Sequence, residues 1–371
     1  MKKIGIIVEY NPLHNGHLYH FNQIPKDIDD IIIAVMSSSL VNRGEISVFN
    51  KFDKTSLALE MGVDLIIELP SIYTIQSGEI FAREAINILN YAGVEEIYIG
   101  SESNDTNIYE AYYKALNSNE YNNYLKESLN EGYSYKSSSQ LAFKRCGLDL
   151  LLPNDSLGLF YYKAIHDSGY NIKLHTIKRT NDYSNPFSTD TISSATSIRL
   201  NPSSIKNQVP SYVYNLYSQK GFLTTDKIFN YLKMNIYNLD SSKIFLIDEG
   251  FENTLKEIYK YTSYDSFLSS INTKRYSIAR ISRIMMAILF NIKKNDVDII
   301  DKNISFIRVL GYSTKGKEYL NSIKHDIKIF TNIKEGINDI LDIEIKISKI
   351  LDIIYNLNLL ALEQKGPIEY K

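Results

Sequence analysis

A single cysteine, Cys146, and no tryptophan occur in the 371 residues. One thiol excludes a disulfide framework and a cysteine-rich zinc site. It fits a reducing compartment, and a buried, inert thiol is its expected state. The lack of tryptophan, beside abundant Tyr, Asn, Ile and Lys, reads as genome bias rather than function. An excess of positive charge is also missing: 41 Lys and Arg stand against 43 Asp and Glu, a formal net charge of -2. Nucleic acid could be held only by basic residues gathered locally. No apolar run is long enough to span a bilayer. Met1-Lys2-Lys3-Ile4 reaches Glu9, Asn11 and His14 too soon for a signal peptide, and no small-residue cleavage site follows. These absences lead to the expectation of a cytoplasmic protein. Internal repeats and low-complexity linkers are absent too. What remains is ordinary globular composition, 44% hydrophobic and 23% charged, in a length that suits two domains.

Short apolar runs at Ile4 to Val8, Ile31 to Met36, Asp64 to Leu69 and Glu96 to Ile99 predict strands buried on both faces. Helical spacing separates them, as at Lys54 to Met61 and Gly78 to Ala92, and a late strand is expected at Lys173 to Ile177. Strands alternating with helices predict a parallel sheet with crossover helices, an α/β fold of Rossmann-like type. Ligands in such sheets sit at the carboxyl ends of the strands, where His14, His17, Ser37 and Gly100 fall. Tyr109 to Leu152 reads as polar and helical, and a further helix covers Asn154 to Tyr170. After about Asn201, apolar residues recur at helical spacing over Ile228 to Leu239, Phe251 to Tyr261, Ile278 to Ile292 and Ile340 to Leu362. The expected division is therefore a catalytic domain over 1–205 and a mostly α-helical domain over 206–371.

His14-Asn15-Gly16-His17 follows the first strand. Residues three apart share one helix face, so both imidazoles can address one ligand. Gly16 lets a nucleotide approach the backbone. The helix start adds free N–H groups and positive partial charge, which suit a polyphosphate. In nucleotidyl transfer, charge builds around the α-phosphorus as pyrophosphate leaves, and preorganised donors are the main catalytic device. A zinc reading of the pair lacks further ligands at usable spacing, so no metal site is read from the protein.

The run Ile6-Ile7-Val8-Glu9-Tyr10-Asn11-Pro12-Leu13-His14-Asn15-Gly16-His17 resembles the opening of the bacterial tRNA(Met) cytidine acetate ligase family, related to the HIGH-motif nucleotidyltransferases. The likeness continues through Ala34-Val35-Met36-Ser37, Arg43-Gly44-Glu45, Lys51, Gly62 to Pro70, Gly100-Ser101-Glu102, Pro153 to Gly158 and Ser193-Ser194-Ala195-Thr196-Ser197-Ile198-Arg199. Ser38, Asn42 and Ile46 depart from the family's usual Gly, Gln and Pro. The resemblance implies ATP contacts along Ile7 to Tyr10, Asn11 to His14, Asn15 to His17, Leu18, Tyr19 and His20, and at Gly100, Asn154 and Arg179. It also implies Ser193 and Thr196 at the β- and γ-phosphates, with Arg199 neutralising the leaving pyrophosphate. His14, His17 and Arg199 are thereby the implied catalytic residues, with Mg²⁺ shared among the phosphates. From residue type alone, Asn154 can cap the following helix or pair with a nucleotide edge. Ser37, Arg43 and Lys51 are open between substrate contact and structural support.

The resemblance supplies the substrates. Acetate and ATP would give acetyl-adenylate and pyrophosphate, and the acetyl group would pass to N4 of the wobble cytidine of elongator tRNA(Met). Acidic residues are missing from Asn272 to Asn295. There an apolar stripe of Ile278, Ile281, Met285 and Ile288 leaves Lys274, Arg275, Arg280 and Arg283 for RNA phosphates. Lys315 and Lys317 are candidates to extend that patch. Two alternatives stand beside this reading. A small-molecule adenylyltransferase of the same superfamily would not need the helical half, and a non-catalytic RNA-binding relic would not need an intact His14, Gly16, His17 and Arg199.

Overall fold

The computed structural model describes residues 1–179, 191–247, 250–273, 276–299 and 304–371. Ten strands occur among them: β1 (Lys3–Val8), β2 (Ile31–Ser37), β3 (Leu40–Val41), β4 (Glu45–Ile46), β5 (Leu65–Leu69), β6 (Glu96–Ser101), β7 (Lys173–Lys178), β8 (Ile307–Ser313), β9 (Ile329–Phe330) and β10 (Ile368–Tyr370). The main sheet runs β10-β8-β5-β2-β1-β6-β7, with β9 paired to β8, while β3 and β4 form a separate hairpin. From β5 to β7 every pairing is parallel. All seven residues of β2 are buried, as a β-branched run at the centre of a helix-covered sheet must be. The helix Lys51–Met61 starts on the Asn50 side chain and stops at Gly62, whose φ of 112° favours glycine.

The strand order reverses between β1 and β6. Going outward from β1, the chain first builds β2 and β5 on one side, then β6 and β7 on the other. Helices leaving neighbouring strands in opposite directions open a crevice at that point, beyond the carboxyl ends of the strands. Val8 ends β1 beside it, and Gly100 and Ser101 end β6.

Residues 206–292 are helical, as the spacing predicts, but the chain then returns to the sheet. β8 pairs antiparallel with β5, and β10 pairs with β8. Three strands over 307–370 were therefore not foreseen from periodicity. Arg308 interrupts the apolar run of β8, yet it is 1% exposed. It belongs to a buried cluster of five ionisable side chains. Lys51 Nζ lies 2.6 Å from Glu68, 2.5 Å from Glu363 and 3.4 Å from Glu344, and Arg308 lies 3.3 Å from Glu363. Lys51 is thus a structural residue, since its ammonium is enclosed by carboxylates. The Ser38 hydroxyl stands 2.5 Å from Glu68 and 2.6 Å from Glu344. It has one proton for two acceptors, so one acid must carry the other. Burial and the neighbouring Glu68 push the Glu344 carboxyl up to about 7, which marks it as the protonated member.

Candidate active site

The first motif builds its own geometry. His14 is the N-cap of the helix Asn15–Gln23, and its Nδ1 accepts the Gly16 N–H at 3.0 Å. The His17 Nδ1 in turn accepts the His14 N–H at 3.2 Å. Imidazoles thus close a capping box that a hydroxyl and a carboxylate more often form. The two rings lie 3.8 Å apart between centroids. With each Nδ1 accepting a backbone proton, the neutral tautomer carries its hydrogen on Nε2. Burial, then the nearby Arg179 and Arg199, lower the His14 pKa to about 3. Burial and His14 hold His17 well below its ordinary value. The pair is therefore neutral at physiological pH and presents two Nε2–H donors. Gly16 serves this arrangement: an added Cβ would stand 2.9 Å from His14 Cε1.

A cleft of about 680 Å³ occupies the crevice between β1 and β6. Ile7, Val8, Glu9, Tyr10, Asn11, His14, Gly16, His17, Tyr19 and His20 line it, with Gly100, Asn154, Arg179, Thr196 and Arg199. The structure thus brings together most of the residues singled out along the sequence. Pro12, Leu13, Asn15, Leu18 and Ser193 do not line it. Leu13 is core, with no exposure. Asn15 instead donates to the carbonyls of Thr191 and Asn207. Ser193 is 1% exposed, and its hydroxyl accepts from Gln208 at 2.8 Å. Ser193, expected at a phosphate, thus stands behind the cleft lining rather than in it.

Of the two readings of Asn154, the fold removes the cap. The helix Pro153–Asp167 begins before it, so it does not cap. The Glu102 carboxylate accepts the backbone N–H groups of Asn154 at 3.1 Å and Asp155 at 2.9 Å, and also the Asn154 side-chain amide. The Asn154 carbonyl oxygen then accepts from Arg179 at 3.3 Å. Glu102 and Asn154 together aim the guanidinium across the cleft. Arg199 donates to the Asn11 carbonyl at 2.7 Å and pairs with Glu45 at 3.2 Å. His20 Nε2 is buried without a hydrogen-bond partner, and burial pushes that imidazole down to about 4.

Cations dominate the lining: Arg43, Lys136, Lys178, Arg179 and Arg199 face the carboxylates Glu9 and Glu45. Lys136, Gln140 and Tyr161 were missed in the sequence because they lie in polar helical stretches with no motif around them. Ser37 passes its carbonyl to Lys54, whose Nζ also holds the carbonyls of Ser38 and Glu9. That ammonium ties together the ends of β1 and β2.

The basic stretch is arranged differently from expectation. Lys274 and Arg275 lie outside the described residues. Ile278 is 48% exposed, whereas the helix from Ile281 onward is buried on most sides. Arg280 packs 4.5 Å over the Tyr276 ring. Arg283 donates to the Gln76 carbonyl at 2.8 Å, which ties it to the protein. Lys315 pairs with Asp64 and Lys317 with Glu369. Asp64 immediately precedes β5, which puts Lys315 at the end of the sheet away from the cleft. Among the described residues no helix is long and apolar enough to cross a membrane, and no cluster of three potential metal ligands occurs.

A nucleotide-sized cleft at the switch point, headed by two closely apposed imidazoles and rimmed by arginines, defines a nucleotidyltransferase-type site. The family model of the HIGH Nucleotidyl Transferases matches residues 1–365. The chain is 37% identical to the tRNA(Met) cytidine acetate ligase of Caldicellulosiruptor saccharolyticus, over 94% of this chain and 93% of that one. It is also 37% identical to the protein of the same name from Fusobacterium nucleatum, over 91% and 90%. The Thermotoga maritima TmcAL structure bound with alpha-thio ATP superposes with a TM-score of 0.86 at 28% identity, covering 100% of this chain and 99% of that one. The chain belongs to the HIGH nucleotidyl transferases and, within them, to the tRNA(Met) cytidine acetate ligase family.

Proposed function

We propose that the protein is an ATP-dependent ligase that activates acetate as acetyl-adenylate and transfers the acetyl group to N4 of the wobble cytidine of elongator tRNA(Met). The observation that carries this reading is the pair of neutral imidazoles, each with Nδ1 capped by backbone, at the mouth of a cleft lined by five cations. Acetate oxygen attacks the α-phosphorus, and pyrophosphate leaves with the electron pair. The Nε2–H groups of His14 and His17 meet the charge that grows on the α-phosphate oxygens, without needing to be protonated first. Arg179 and Arg199 supply permanent charge to the phosphate chain, with Thr196 beside them. Gly100 and His20 flank the nucleoside end against β6. Magnesium, which ATP chemistry implies, would be carried by the phosphate oxygens themselves, because the described residues form no carboxylate cage for it. A wobble base is single-stranded and can be splayed into the cleft at modest cost. Residues 1–205 are proposed as the catalytic part and 206–371 as the part that positions RNA, with Arg280, Lys274 and Arg275 toward its backbone.

The test is direct. The protein is incubated with ATP, labelled acetate and a tRNA(Met) transcript, and the digested RNA is examined by mass spectrometry. Label in N4-acetylcytidine is the expected result. ATP consumption with label only in a small acceptor, or RNA binding without turnover, would sink the reading. His14→Ala is expected to lower acetate-dependent ATP–pyrophosphate exchange by roughly a hundredfold or more while tRNA affinity is kept.

A further inference from the structure

Acyl transfer to an exocyclic amine needs a base. The N4 lone pair of cytosine is delocalised into the ring, and the N–H proton becomes acidic only as the nitrogen bonds to the acetyl carbon. A group in the cleft must take that proton as the bond forms. The geometry removes most candidates. His14 and His17 accept backbone protons at Nδ1, so Nε2 already holds hydrogen and cannot accept another. His20 lies at the β6 side, where the Ile99 backbone raises and burial lowers its basicity, leaving it at about 4. Burial raises the Tyr10 and Tyr161 hydroxyls well above their ordinary value, which leaves them protonated. Among the described residues, Glu9 and Glu45 are the two carboxylates that line the cleft. Glu45 is held in an ion pair with Arg199 at 3.2 Å.

Glu9 is placed differently. It follows β1 directly, and Tyr10 turns the chain with φ 48°. Its Oε1 accepts the Asn42 N–H at 2.6 Å, which holds the carboxylate toward the β3 hairpin and away from β6. We propose that Glu9 is the general base of the second half-reaction: it accepts the proton from N4 as nitrogen attacks the carbonyl carbon of acetyl-adenylate. The new bond is N4 to the acetyl carbon. The bond that breaks joins that carbon to the phosphate oxygen, and AMP leaves with its electron pair. The proton stays on Glu9 until the product departs and solvent takes it. The groups that set its charge are the Asn42 N–H, Lys54, Glu45 and Arg43. Burial outweighs them and raises this carboxyl above the usual 4.5, toward the basicity the step requires.

The role rests on the acetyl-transfer reading, so the experiment separates the two. Synthetic acetyl-adenylate and tRNA(Met) transcript are given to the native protein and to Glu9→Gln, and single-turnover acetylation is followed against pH. Transfer by Glu9→Gln is expected to fall roughly a hundredfold or more, and by a clearly larger factor than acetate-dependent ATP–pyrophosphate exchange, whose site Glu9 also borders. A urea melt matching that of the native protein shows that the variant is folded. The native rate should show an acid limb above pH 4.5 that is missing in Glu9→Gln. Glu9→Asp should transfer faster than Glu9→Gln. If Glu9→Gln transfers within about threefold of the native rate, or keeps the limb, the assignment of Glu9 is overturned while the ligase reading stands. If the native protein does not acetylate the tRNA from acetyl-adenylate, both fall together.

Discussion

Gly16 lies two residues beyond His14, and the His14 ring folds back over it to accept its N–H. Its role in the sequence reading was to admit a nucleotide. In the structure its missing side chain admits an imidazole. Gly16→Ala would put a Cβ 2.9 Å from His14 Cε1 and 3.0 Å from Nδ1, and the ring must move off the backbone. Once released, the ring can choose either tautomer, and the donor at Nε2 is no longer assured. ATP–pyrophosphate exchange is therefore expected to fall about tenfold or more, with the unfolding free energy from urea melts lowered by no more than the loss of one cap, about 1 kcal/mol. Exchange at the native rate would show that the ring's hydrogen bond does not matter. Asn154 teaches the same lesson: its residue type allowed a cap or a ligand contact, and only the fold shows that it does not cap but lines the cleft, tied to Glu102 and Arg179.

Elements met across the molecule explain positions that look catalytic in a string of letters. Gly44 has φ 80°, and a Cβ on it would come 2.3 Å from the Arg283 backbone nitrogen. The loop after β3 thus seats directly on the helix Ile278–Leu289 from the helical half. Asn42, two residues earlier, holds Glu9 through its N–H and the carbonyls of Thr74 and Gln76 through its side chain. Gln76 also accepts from Arg283. Gly44→Ala is expected to cost about 1–3 kcal/mol, read by denaturant melts, because the strained backbone and the contact fail together. Acetyl transfer should suffer more than pyrophosphate exchange if the loop orients Glu9. Equal losses would argue against that link. Elsewhere the long helix expected over Ile340 to Leu362 divides into Asp339–Tyr355 and Leu359–Lys365. Asn356 and Asn358 both have φ 58° and break it, while the apolar spacing continues through the break.

At the scale of the whole molecule, the five buried ionisable side chains join β5, β8, the helix after Asn50 and the two helices after Asn338. Lys51→Met would leave Glu68 and Glu363 with Arg308 as the one cation remaining in the cluster, 3.9 and 3.3 Å away. Breaking a buried pair in that way is expected to cost about 3–5 kcal/mol. A loss below about 1 kcal/mol would show that the cluster does not hold the halves together. The pH dependence has a definite sign. The Glu344 carboxyl is raised to about 7 in the fold against 4.5 in the unfolded chain. The folded state keeps its proton across that interval, so the contribution is favourable on the acid side and is lost as pH rises toward 7. Glu344→Gln mimics the protonated acid, and its stability should decline less than the native protein's between pH 5 and 8, in the same melts.

The parallel sheet, its order of strands and helices, and the place of the site were legible because each depends on local pattern. Buried strands are continuous apolar runs, and a motif directly after the first strand must stand at a carboxyl end. The family resemblance, rather than local pattern, named the residues such as His14, His17, Gly100, Arg179 and Arg199 that line the cleft there, and much of the remaining lining, Lys136 and Gln140 among it, was not named. What the sequence could not decide was which polar residues are buried and which are presented. Lys51 stands in a family motif and Ser38 departs from one, yet both close an ion cluster, Arg308 hides a strand, and Arg283 braces a loop, because burial and pairing depend on partners up to 306 residues away, as between Ser38 and Glu344. The tautomer of the two histidines likewise came only from the hydrogen bonds that folding makes at Nδ1.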